Sequence, residues 1–179
     1  MLANRSAQFS RQSQLLSVLV PLLVASVASC TGDDANEGPQ FSTLPDVAGA
    51  GSAEQHLATT TDGTVVMSWL EPSEPGTDLR WSRLRGNQWE DPRSVASGGN
   101  WFVNWADFPS VEPISESLWA AHWLVKRPGG TFAYDVAISI SKDAGSTWTE
   151  AVIPHQDNTP TEHGFVSLFP WQDKIGALW

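Results

Sequence analysis

The octapeptide Ser141-Lys142-Asp143-Ala144-Gly145-Ser146-Thr147-Trp148 constrains this 179-residue chain more than any other stretch. An Asp carboxylate at its third position can accept hydrogen bonds from the N–H groups of a tight turn. Gly145 tolerates the positive φ that such a turn requires. Ser141 sets a hydroxyl at the strand end, and Trp148 gives the returning strand an apolar anchor. The preceding stretch, Tyr134 to Ile140, alternates and is partly β-branched, so it reads as a strand. The octapeptide therefore predicts a β-hairpin tied by Asp143, in a chain with little helical pattern.

The rest of the chain repeats this organisation. Gln55 to Thr60, a turn at Asp62-Gly63, and Thr64 to Trp69 read as two antiparallel strands. Phe108 to Ile114 followed by Leu118 to Trp123 reads the same way, as does Gly164 to Pro170 followed by Lys174 to Trp179. Trp69, Trp123 and Trp179 fall at matching points of the repeat. Ser82, Gly86 and Trp89 reproduce the spacing of Ser141, Gly145 and Trp148, with Leu84 in place of the Asp. Four strands plus loops per period is the pattern of a propeller blade. The expected fold is all-β: a partial β-propeller over residues 53–179, with two four-stranded blades and the first half of a third. Two and a half blades leave strand edges unpaired, so the expectation is a fragment of a larger closed ring.

Ser141-x-Asp143-x-Gly145-x-Thr147-Trp148 resembles the Asp-box, or BNR repeat, of the sialidase-like β-propellers. The resemblance implies a six-bladed ring in which the box is structural and lies on the face opposite the active site. It further implies a retaining exo-sialidase mechanism with a Tyr nucleophile, an Asp acid/base and three Arg that clamp the sugar carboxylate. Asp107, on the connection between the first two repeats, matches the acid/base by its place in the order, and Glu162 matches an assisting acid less well. Tyr134, the only Tyr, lies on an early strand, whereas the family's nucleophile comes from a late blade, so it takes no role. The family's opening Phe/Tyr-Arg-Ile-Pro motif has its nearest counterpart in Phe41-Ser42-Thr43-Leu44-Pro45, which lacks the Arg.

Two loops between repeats are richer in functional groups than connectors need to be. Gly98 to Phe108 carries Trp101, Trp105 and Asp107, and aromatic faces beside carboxylates suit sugar rings. The alternative is that these Trp pack over the junction between repeats. Pro154 to His163 holds His155, Asp157, Glu162 and His163. Solvated loop residues are the default there; a metal bound by His155, Asp157 and His163 is chemically conceivable but matches no established ligand spacing. Arg127, beside Lys126, offers a bidentate partner for a carboxylate. His56 and His122 lie in strand patterns and read as satisfied core histidines. The expected substrate-binding set is Trp101, Trp105, Arg127, His155 and His163, with no cofactor and no metal.

Residues 1–30 read as a lipoprotein signal peptide: Arg5 and Arg11, an apolar run from Leu15 to Val27, then Val27-Ala28-Ser29-Cys30. That ending resembles a bacterial lipobox, which implies that Cys30, the sole cysteine, is lipidated and anchors the chain in the cell envelope, at the outer membrane. Residues 31–52, polar and small, read as a flexible tether. The full chain has a formal charge of −10, and removing the leader takes away two Arg and no acid. Such a balance excludes nucleic acid as a partner. The expected function is glycan binding or sialoside hydrolysis by an anchored propeller. The other reading is a propeller scaffold for protein interactions.

Overall fold

The computed structural model describes residues 39–179. The leader and Cys30 lie outside the described residues. Residues 42–179 form one compact unit.

Among the described residues there are ten strands and no helix. β1 (Ala53–Thr59), β2 (Val65–Ser73), β3 (Gly76–Arg85), β4 (Gln88–Trp89) and β5 (Arg93–Gly98) form one antiparallel sheet, in which β3 pairs with β2, β4 and β5. β6 (Ser110–Pro113), β7 (Trp119–Lys126) and β8 (Tyr134–Ser141) form a second. β9 (Ser167–Trp171) and β10 (Lys174–Leu178) pair as a hairpin. The three strand pairs expected from the repeat are all present, in antiparallel register. None of the sheets closes into a barrel. The fourth strand expected after Trp148 is reduced to a single bridge, Ile138 to Val152.

The middle sheet is covered on both faces, which explains why β7 and β8 are nearly continuous apolar runs. Side chains alternate across a strand. Trp119, Ala121, Trp123 and Ala137 therefore join one core with Val66, Leu70, Leu79 and Trp81 of the first sheet. Ala120, Leu124, Val136 and Ile138 face the other way and join Phe102 and Leu168, with Ile175 and Ala177 against them. Trp81 and Trp119 meet edge to face at 4.9 Å, at the centre of the first core.

The octapeptide forms the turn its residues predict. Ser141 Oγ accepts from the Asp143 and Gly145 amides and donates to Asp143 Oδ1 at 2.7 Å. Asp143 accepts from the Thr147 amide at 2.8 Å and the Thr147 hydroxyl at 2.6 Å. The turn also locks the two sheets together. Arg83, whose guanidinium lies 4.8 Å from the Trp119 ring, donates to the Ala144 carbonyl at 2.7 Å. The tether expected over 31–52 is held at its end: the Gly49 amide donates to Glu71 Oε2, and so does the Ser52 hydroxyl.

Candidate functional site

Strand β8 opens with two residues that face opposite ways, and a candidate site lies on each side. Tyr134 turns inward, where its ring stacks on Phe102 at 4.1 Å. Its hydroxyl donates to Asp107 Oδ2 at 3.3 Å, while the Phe165 amide donates to Asp107 Oδ1 at 2.8 Å. Gly164 is required beside this carboxylate, since a Cβ there would fall 1.9 Å from Asp107 Oδ2. Phe165 delivers its amide from a left-handed φ of 54°, an uncommon conformation for a bulky residue. Burial pushes the Asp107 carboxyl above the ordinary Asp range; the two hydrogen bonds oppose this, and the Glu162 charge adds to it. Burial, then the charges of Asp107 and Glu162, push the Tyr134 phenol up to about 12.

Asp107 lines a pocket of about 300 Å³ together with His56, Phe108, Ser110, Glu112, His122 and Phe165. His56 Nε2 meets Glu112 Oε1 at 2.6 Å, tying β1 to β6. His122 is fully buried, with Nδ1 3.0 Å from the Ser110 hydroxyl. Burial pushes its imidazole down to about 4, so it is neutral at physiological pH. The pocket thus offers two carboxyl groups, two imidazoles and two partly exposed aromatic rings, with no Lys or Arg in its lining. It can accept hydrogen bonds from sugar hydroxyls and move a proton at Asp107.

On the other side of β8, Asp135 meets the loop that follows Pro154. Arg127 donates to Asp135 Oδ1 at 3.0 Å. The His155 and His163 rings stack at 3.9 Å beside this carboxylate, and Asp157 reaches both rings at 3.0 Å. Thr159 donates to Asp157 at 2.6 Å, and this bond, then that from His163, holds the Asp157 carboxyl well below its ordinary range.

The residues named from the sequence are therefore divided. Asp107 lies in the pocket, and Glu162 is near enough to raise it electrostatically. Arg127, His155 and His163 come together in the second cluster. Trp105 is 82 % exposed, but Trp101 is not the exposed loop aromatic that the sugar reading required. It is buried and stacks on Trp123 at 5.2 Å, in a space left by Gly98. Its backbone bridges to Val125, which draws the loop over the sheet and takes the ring inward. Glu112, Asp135 and the Tyr134 contact with Asp107 were not read from the sequence. Strand alternation after Ala133 was the available signal for separating Tyr134 from Asp135.

No family model and no curated protein matches the chain.

Proposed function

We propose that this chain is part of a lipid-anchored β-propeller of the bacterial envelope that recognises glycans, with Asp107 as the acid/base of a retaining glycosidase. The carrying observation is Asp107 itself: a carboxyl raised by burial, fixed by two hydrogen bonds, and lining a pocket with aromatic rings at its edge. A raised carboxyl is what a general acid needs near neutral pH. Glu112, in the same lining, supplies a second carboxyl group. The absence of Lys and Arg from this lining favours a neutral sugar over the anionic sialoside that the sequence resemblance implies. The repeated antiparallel strand pairs and the Ser141–Trp148 turn support the propeller reading.

A panel of fluorogenic glycosides, neutral and sialylated, tests this. Turnover that falls by roughly 10²–10⁴-fold in Asp107→Asn supports acid/base catalysis. Glycan binding without turnover, weakened in Trp105→Ala, supports a binder. Neither result would leave the scaffold reading, which the exposed Phe165, Trp171 and Leu178 side chains favour.

A further inference from the structure

We propose that Asp135, His155 and His163 form a divalent transition-metal site of the zinc type, with Asp157 holding both imidazoles in the metal-binding tautomer. One ligand atom from each of the three lies within 4.8 Å of the others. Both histidine side chains are about nine-tenths buried, at 10 % and 9 % exposure.

His155 Nδ1 and His163 Nε2 each lie 3.0 Å from an oxygen of Asp157. His163 Nδ1 lies 3.1 Å from the Tyr134 carbonyl and 3.6 Å from Asp135 Oδ1. His155 Nε2 lies 3.7 Å from the same Asp135 oxygen and makes no hydrogen bond, although it is buried. Every neighbour is an acceptor. A neutral imidazole has one N–H, and Asp157 is placed to take it from both rings. That leaves His155 Nε2 and His163 Nδ1 without a proton, 3.7 and 3.6 Å from Asp135 Oδ1. A divalent cation held there would take both lone pairs and the Asp135 oxygen, and it would give the buried His155 Nε2 the partner it lacks.

The donor set suits the ion. Imidazole and carboxylate are zinc ligands, and a set of two His and one carboxylate leaves a fourth position open. Ligands at the usual zinc distances stand about 3.4 Å apart in a tetrahedron; the Asp135 oxygen already lies 3.6 and 3.7 Å from the two nitrogens, and the stacked rings, 19° apart in plane, would turn out of their stack to bring both onto one ion. Asp157 would act as the outer carboxylate that orients metal-bound histidines. A cavity of about 410 Å³, lined in part by Arg127, Asp135 and His155, gives an ion entry. Arg127 occupies the same Asp135 oxygen and so competes with the metal.

The full-length protein, stripped with chelator, is titrated with ZnCl₂ by calorimetry and with Co²⁺ by visible absorption. One Zn²⁺ per chain and an intense four-coordinate Co²⁺ spectrum are expected. His155→Gln and His163→Gln each lose both signals, Asp157→Asn weakens binding about 10–100-fold, and Arg127→Gln tightens it. Tryptophan fluorescence checks that each variant is folded. On the wild type, Zn²⁺ should shift the ring ¹⁵N resonances of His155 and His163 and leave those of His122 in place. No uptake at millimolar Zn²⁺, uptake retained in the folded double His variant, or unshifted His155 and His163 resonances each overturns the site. None of these readouts depends on glycoside turnover.

Discussion

Asp107 and Asp143 show how far one side chain's behaviour depends on its surroundings. Asp143 sits in an exposed turn, and bonds from the Thr147 hydroxyl, the Thr147 amide and the Ser141 hydroxyl lower its pKa to about 2. A depressed folded-state pKa gives stability that is present above the unfolded value, about 3.9, and lost as pH falls through the folded one. Asp143→Ala should therefore lower the melting temperature at neutral pH. The gap to wild type should narrow between about pH 4 and pH 2, as thermal melts across that range would show. Asp107 is shifted the other way, chiefly by burial. Its favourable contribution is complete below the unfolded pKa and declines as pH rises through the raised folded value. Asp107→Asn, a neutral side chain of the same shape, should then match or exceed wild-type stability in urea at pH 7 while losing turnover. Lower stability together with lost turnover would make Asp107 a structural anchor for Phe165 and Tyr134.

At the scale of elements, what was legible in the sequence was local. Strand alternation and turn chemistry act over a few residues, so the hairpin around Asp62-Gly63 and the turn at Asp143-Ala144-Gly145 could be read directly, whereas the return strand after Trp148 is reduced to one bridge. The contacts between sheets could not, because they join residues far apart in the chain. The Arg83 bond to the Ala144 carbonyl and the burial of Trp101 against Trp123 are of this kind. So is the meeting of Asp135 with His155 and His163, which needs the loop after Pro154 to fold back on the start of β8. Gly145 shows both levels at once. Its φ of 81° was expected from the turn, but a Cβ there would also fall 2.5 Å from Trp81 Cζ2. Gly145→Ala should therefore destabilise through strain and overpacking together, by about 1–3 kcal/mol for the packing part alone. Trp119, fully buried between the two sheets, should cost about 3–5 kcal/mol when cut to Ala. Urea unfolding followed by tryptophan fluorescence measures both. A near-neutral Gly145→Ala would show that the turn does not press on the first sheet.

At the scale of the whole molecule, charge and anchoring bear on each other. The chain has 20 Asp and Glu against 10 Lys and Arg, and the proposed leader holds two of those Arg. A chain so acidic is repelled by anionic lipid surfaces, and on the proposed reading removal of the leader makes it more so. No helix among the described residues is long and apolar enough to cross one. On the proposed reading, envelope attachment therefore depends on the acyl chains at Cys30. A single chain gives only marginal binding and stable anchoring takes more than one, which a multiply acylated N-terminal cysteine would supply. Fatty-acid labelling should mark the wild type and leave Cys30→Ser unlabelled, and the variant should move from the membrane to the soluble fraction. Because the proposed attachment is hydrophobic, detergent and not high salt should release the wild type. Salt release of the wild type, or equal labelling of both proteins, would show that Cys30 is not the anchor.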